Sequence, residues 1–157
     1  MTSTAGADRT ASQRGRANRR QGRETERAVR DHLRQWWPTI DYYHPGGHTR
    51  THADDCGDLG PCIDRDGDHW TIEVKGPRAT PPAGQIDRWA TETETEADRA
   101  GMGGLWVLVV RRPGCADVGS WHAYQPAAQL FDQLEGGDAR FDLVGLTVRS
   151  WVGLTAP

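Results

Sequence analysis

The sequence predicts an α/β fold, a central mixed β-sheet flanked by α-helices, on three observations. An Asp-Gly pair, Asp66-Gly67, separates two alternating segments in the manner of a hairpin turn. The apolar run Leu105 to Val110 has the length and content of a buried strand. Two stretches with apolar residues three or four apart, before and after the hairpin, read as amphipathic helices.

Residues 1 to 15 are Ser, Thr, Ala, Gly and Arg without periodicity and are expected to form a disordered basic arm, leaving residues 16–157 as one domain. From Ala17 to Trp37 the pattern is helical and stops at Pro38. Val29, Leu33 and Trp36 make one stripe apolar, and Glu26 sits within it. Arg23, Arg27, Arg30 and Arg34 form a second stripe about 100° away. Residues 41 to 57 read as a strand followed by a loop, because "YYHPGG" breaks any helix. After the hairpin, a helix is expected from Gly84 to Ala100 with Gly101 as its stop, then "LWVLVV" as a strand. "SWHAYQP" reads as a further strand, residues 126 to 135 as a short helix, and "LTVRSWVGL" as a terminal strand or extended tail. Trp36, Trp37, Trp70, Trp89 and Trp106 lie in amphipathic or buried segments and are assigned to the core; Trp121 and Trp151 have no such pattern to place them.

Composition narrows the function classes. No apolar run approaches a membrane span, and the Arg-rich start lacks the apolar segment of a secretory signal. The expected location is cytoplasmic, the host cytoplasm if the gene is phage-borne. Cys56, Cys62 and Cys115 are an odd set and fit reduced thiols. Net charge is −3, but residues 1 to 35 hold nine arginines against Asp8, Glu24, Glu26 and Asp31, so that segment is +5 and the remainder −8. A basic arm on an acidic body points to a polyanion approached from one side, with nucleic acid the leading candidate.

The chain has eighteen arginines and a single lysine, Lys75, two places after Glu73 in "DGDHWTIEVK". If Asp66-Gly67 is a two-residue type I′ loop, Ile63 pairs with Trp70, Cys62 with Thr71, Leu59 with Val74 and Asp58 with Lys75. Ile63, Trp70, Pro61, Ile72, Leu59 and Val74 then share an apolar face, and Asp58, Gly60, Cys62, Thr71, Glu73 and Lys75 the other. Pro61 requires the first strand to be exposed on one side or bulged there. Asp58 and Glu73 would be diagonal neighbours, able to meet on one hard cation such as Mg²⁺, while a lysine can shed or share a proton in a way that arginine cannot. In outline this is a phosphodiester hydrolysis site.

With these residues in view, the sequence resembles the PD-(D/E)xK nuclease superfamily, and within it the Holliday junction resolvase-like proteins of archaea and bacteriophages, over residues 22 to 112. "GRETER" resembles a first-helix pattern whose catalytic glutamate would be Glu26. "GDLGPCIDRDGDHWTIEVK" resembles the central hairpin, which implies Asp58 and Glu73 as metal ligands, the Val74 backbone carbonyl as a further ligand and Lys75 as the catalytic lysine. The resemblance implies a restriction-endonuclease-like core, Mg²⁺-dependent DNA cleavage with Mn²⁺ as a substitute, and a homodimer acting on branched DNA. Gln85 stands where such enzymes often carry a polar residue. Gly57 departs from the usual proline before the aspartate, and Asp54 and Asp55 compete with Asp58. Arg16, Arg19 and Arg20, with the Arg23, Arg27, Arg30 and Arg34 stripe, are expected to hold backbone phosphates.

Other readings compete. His44, His48, His52 and Cys56 recur every four residues, but Pro45, Gly46 and Gly47 prevent the helix that would align them. They read as loop residues near the site, where a histidine or Arg50 would contact phosphate, with a looped zinc site as the rival. "ETETEAD" reads as a solvated helix face. For the whole chain, the alternatives are a restriction- or repair-like nuclease and a non-catalytic DNA-binding protein on the same fold.

Overall fold

The computed structural model describes residues 5–42, 57–101, 104–130 and 143–157. Its elements run in the order α1 (Ala5–Leu33), β1 (Asp41–Tyr42), β2 (Leu59–Ile63), β3 (His69–Lys75), α2 (Ala83–Ala100), β4 (Leu105–Val110), β5 (His122–Pro126), α3 (Ala127–Leu130), β6 (Leu143–Thr147) and α4 (Val148–Thr155). The strands form one six-stranded sheet in the order β1-β2-β3-β4-β5-β6. Only β3 and β4 run parallel; every other pair is antiparallel. The mixed sheet flanked by helices is therefore as expected. Among the described residues no helix is long and apolar enough to cross a membrane.

A parallel neighbour cannot be reached by a tight turn, and α2 provides the crossover between β3 and β4. Its Ile86, Ala90, Thr93 and Ala97 recur on one face and are buried. Gly101 closes it with φ 64°, a left-handed conformation that glycine adopts without a Cβ penalty. This face covers Trp106, Leu108 and Val110 of β4. On the other side of the sheet, Val29 and Leu33 of α1, Trp37 and Trp151 of α4 close a larger core over Trp70, Ile72, Val74, Val107 and Val109. Trp151 stacks on Trp37 with ring centroids 5.7 Å apart and meets Trp70 edge-on at 5.6 Å. Both faces of β3 and β4 are thus covered, as a parallel pair requires.

Several boundaries differ from expectation. The first helix reaches back to Ala5, into the stretch expected as a disordered arm, and ends at Leu33 rather than Trp37. Ala, Arg and Gln are good helix formers, so polar sequence extends it at little cost. The C-terminal segment is β6 followed by α4, not strand or tail alone. Thr147 caps α4 by accepting the Ser150 N–H, a signal present in "TVRS". Trp121 and Trp151, which had no pattern to place them, are buried, whereas Trp36 and Trp89 are only partly so.

The hairpin register also differs. Ile63 pairs with His69 and Cys62 with Trp70, and after an irregularity Leu59 pairs with Ile72. The turn is longer than a two-residue loop because the Asp64 carboxylate accepts from the N–H groups of Asp66 and Asp68. That shifts the pairing by one and exchanges the faces of Cys62, now buried, and Ile63, now 40% exposed. The bulge, in the stretch holding Pro61, shifts it by one more. Two shifts restore the original faces, so Leu59 stays in the core and Asp58 stays on the side of Glu73 and Lys75.

Candidate active site at the carboxyl end of β3

Glu73 and Lys75 lie on the face of β3 that α2 covers, since their partners across the parallel ladder are Leu108 and Val110. Glu73 is 6% exposed, a level that carboxylates reach only when matched by a partner. Lys75 Nζ donates to Glu73 Oε1 at 2.5 Å, while Glu73 Oε2 is buried without a hydrogen-bond partner. Burial pulls the Lys75 ammonium towards its neutral form, but the charge and hydrogen bond of Glu73, then Asp58 and Glu96, outweigh it and raise its pKa. The amine is thus favoured in its protonated form.

Asp58 follows Gly57, whose φ of 89° proline cannot adopt. A Cβ at Gly57 would meet Thr71 Cγ2 at 2.8 Å. The departure from proline at this position therefore has a backbone reason. The Asp58 N–H donates to the Ile72 carbonyl at 2.8 Å, and Asp58 Oδ2 accepts from the Val74 N–H at 2.9 Å. The carboxylate thus sits against the amide joining Glu73 to Val74, not opposite Lys75 as expected. In an extended strand a residue's N–H and C=O point to the same side, so the Val74 carbonyl is directed to the Asp58 side as well. The Lys75 carbonyl points the other way and accepts the Arg111 N–H at 2.9 Å.

Glu26 belongs to the same constellation: after burial, the Glu73 and Glu26 carboxylates are the largest causes that hold Asp58 well above the usual carboxylate range. The Val74 hydrogen bond and Lys75 oppose them without prevailing. Three carboxyl groups and one ammonium are gathered in a largely buried site. Among the described residues no three His, Cys, Asp or Glu side chains are already gathered around one ion position. The donor set nonetheless fits a hard divalent cation: a carboxylate oxygen of Glu73 has no partner, and the electrostatics at Asp58 favour added positive charge.

The remaining candidates divide. Gln85 lies half-buried in the first turn of α2. Arg16, Arg19, Arg20, Arg23, Arg27 and Arg34 are exposed along and beyond α1. Much of the arginine stripe is already paired: Arg27 with Asp31, Arg30 with Asp31 and Asp41, and Arg34 with Asp41. Arg30 also covers the Tyr42 ring at 4.7 Å. The two pairs with Asp41 fasten the end of α1 to β1, so Arg30 and Arg34 are not simply a phosphate-facing stripe. Arg50, His44, His48, His52, Cys56, Asp54 and Asp55 lie outside the described residues.

The structure adds residues that sequence reasoning passed over. Glu96, within "ETETEAD", is close enough to Lys75 to raise its pKa, so that segment is not wholly a solvated face. Its neighbours Thr93 and Ala97 are buried, a periodicity that was readable. Gln21 Nε2 donates to the Gly76 carbonyl at 2.7 Å, and Thr25 packs so closely on Gly76 that a Cβ there would collide with it. These contacts fix α1, and with it Glu26, against the end of β3.

Compared with protein-family models, curated proteins and solved structures, the chain matches none.

Proposed function

We propose that this chain is a divalent-metal-dependent DNA endonuclease of the PD-(D/E)xK type, with a Holliday junction resolvase as the specific reading. The observation that carries it is the convergence of Glu26, Asp58, Glu73 and Lys75 at the carboxyl end of β3, on a sheet whose bulge and turn preserve that convergence. A surface Glu-x-Lys would not be covered by a helix, nor would it have a third carboxylate brought to it through a glycine of φ 89°.

In this reading Asp58, Glu73 and the Val74 carbonyl hold Mg²⁺, or Mn²⁺ in its place, with Glu26 beside them. The metal supplies Lewis-acid polarisation of the phosphate and an activated water at neutral pH. Lys75, kept as an ammonium by Glu73, donates to the scissile phosphate oxygens and steadies charge developing there. Val74 orients Asp58 through its N–H, and Gln21 locks the strand end that carries Lys75. Exposed Arg16, Arg19 and Arg20 supply sequence-independent attraction for the backbone. A homodimer would present two such sites to the two strands of a branched substrate.

Cleavage of four-way junction, flap, single-stranded and duplex DNA with Mg²⁺ or Mn²⁺ tests the reading. Paired symmetric nicks confined to the junction are expected. Equal cutting of plain duplex would replace resolvase with a restriction- or repair-like nuclease, and DNA binding without cleavage would leave a non-catalytic DNA-binding protein. Lys75→Ala and Glu73→Gln should each lower the rate by about 10²–10⁴-fold with folding intact. Undiminished activity in both would sink the site.

A further inference from the structure

Beyond Lys75 the ends of β3 and β4 open into a cavity of about 380 Å³, roofed by α1 and lined by Arg20, Gln21, Glu24, Arg78, Arg111 and Gly114 among others. The chain outside residues 1 to 35 carries a net charge of −8, yet its contribution to this cavity is two guanidinium groups, Arg78 and Arg111, and no carboxylate; α1 adds Arg20 and Glu24. Each guanidinium is positioned. Arg111 begins where β4 stops, its N–H bound to the Lys75 carbonyl at 2.9 Å and its guanidinium over the Trp121 ring at 5.8 Å. Arg78 Nε donates to Gln21 Oε1 at 2.8 Å, and the same Gln21 holds the Gly76 carbonyl at 2.7 Å. Arg20 pairs with Glu24 at 2.8 Å, which accounts for the one carboxylate in the lining.

Arg111 Nε is buried and has no hydrogen-bond partner among the described residues. A buried charged donor without an acceptor is costly, and Arg111 also lines the cavity, so a small shift of its side chain towards an anion there would satisfy it. Guanidinium groups offer a planar fork that matches phosphate oxygens. The volume suits a phosphate with its attached sugar rather than a bare ion.

We propose that this cavity is a phosphate-binding subsite, separate from the metal-binding carboxylates and adjoining them through Gly76. Resting on the nuclease reading, its ligand is a phosphate of the DNA strand being cut, either an internal phosphodiester next to the scissile one or a terminal phosphate. Arg111 and Arg78 are the gripping residues, and Gln21 positions Arg78 while tying the subsite to the strand that bears Lys75.

The test uses the full chain in chelator, so that no cleavage occurs. Fluorescence anisotropy measures binding of one oligonucleotide with and without a 5′-phosphate, and inorganic phosphate is added as competitor. Arg111→Gln and Arg78→Gln should each weaken oligonucleotide binding about tenfold and abolish competition by phosphate. Arg78 is exposed, so its variant keeps the test valid if Arg111→Gln fails to fold. A preference for the 5′-phosphorylated strand, lost in both variants, assigns a terminal phosphate. Equal wild-type affinity for the two strands assigns an internal one. Wild-type affinity and phosphate competition in both folded variants would overturn the subsite even if the protein cleaves DNA. Weakened binding in a protein that cuts nothing would keep the subsite and remove the nuclease reading.

Discussion

Strand β3 has two unlike faces, and their difference separates what holds this protein together from what it is proposed to do. Trp70, Ile72 and Val74 enter a dry core closed by Val29, Leu33, Trp37 and Trp151. Thr71, Glu73 and Lys75 alternate with them and point under α2, where Thr71 Oγ1 and Glu73 Oε2 are buried without hydrogen-bond partners. The first face is held mainly by apolar contact, with the Trp37 and Trp70 indole N–H groups donating to the Ile63 carbonyl and the Asp64 carboxylate. The second is a compromise in which burial, repulsion among carboxylates and a single ammonium are held in place by the first.

The largest effect should come from breaking the dry face. Trp151 is wholly buried, stacked on Trp37 and edge-on to Trp70. Trp151→Ala should cost about 3–5 kcal/mol, read as a fall in denaturant midpoint. Trp151→Phe keeps most of the volume and removes an indole N–H that is buried without a partner, so it should cost far less. A near-silent Trp151→Ala would mean that α4 is not part of the core.

Next in size is the joint between the faces. Gly57 holds φ 89° and leaves no room for a Cβ beside Thr71. Gly57→Ala should destabilise by about 1–3 kcal/mol and also displace Asp58, lowering cleavage more than stability alone explains. Equal losses in stability and rate would reduce Gly57 to an ordinary turn.

Much of this arrangement was legible in the chain. The crossover helix and its stop at Gly101 follow from spacing and a helix terminator, and β4 from an uninterrupted apolar run. Glu73 and Lys75 share a face by strand alternation whatever the register. The exact pairing was not legible, because it depends on where the Asp64 side chain bonds in the turn and where the strand bulges, and neither is set by a periodicity. Two one-step errors cancelled at Asp58 but not at Cys62, which was assigned to the site face and lies in the core. The subsite arginines were invisible for a different reason. Arg78 and Arg111 follow different strands and meet only because those strands are parallel neighbours.

The smallest effect has an unusual sign and bears directly on the compromise face. Asp58 is pushed above the usual carboxylate range by burial and then by Glu73 and Glu26, so the folded state holds its proton more tightly than the unfolded chain does. The stability that this proton contributes is complete below the ordinary carboxylate pKa, about 4, and is lost as pH rises through the elevated folded value. In chelator at pH 7, Asp58→Asn should therefore raise the melting temperature by a few degrees, since the amide keeps the shape and can still accept the Val74 N–H without adding charge. The gain should shrink as pH falls towards 4, and Mg²⁺ should raise the melting temperature of the wild type but not of the variant. A variant less stable than wild type at pH 7 in chelator would show that Asp58 is held by favourable contacts, and that the repulsion on this face is not waiting for a cation.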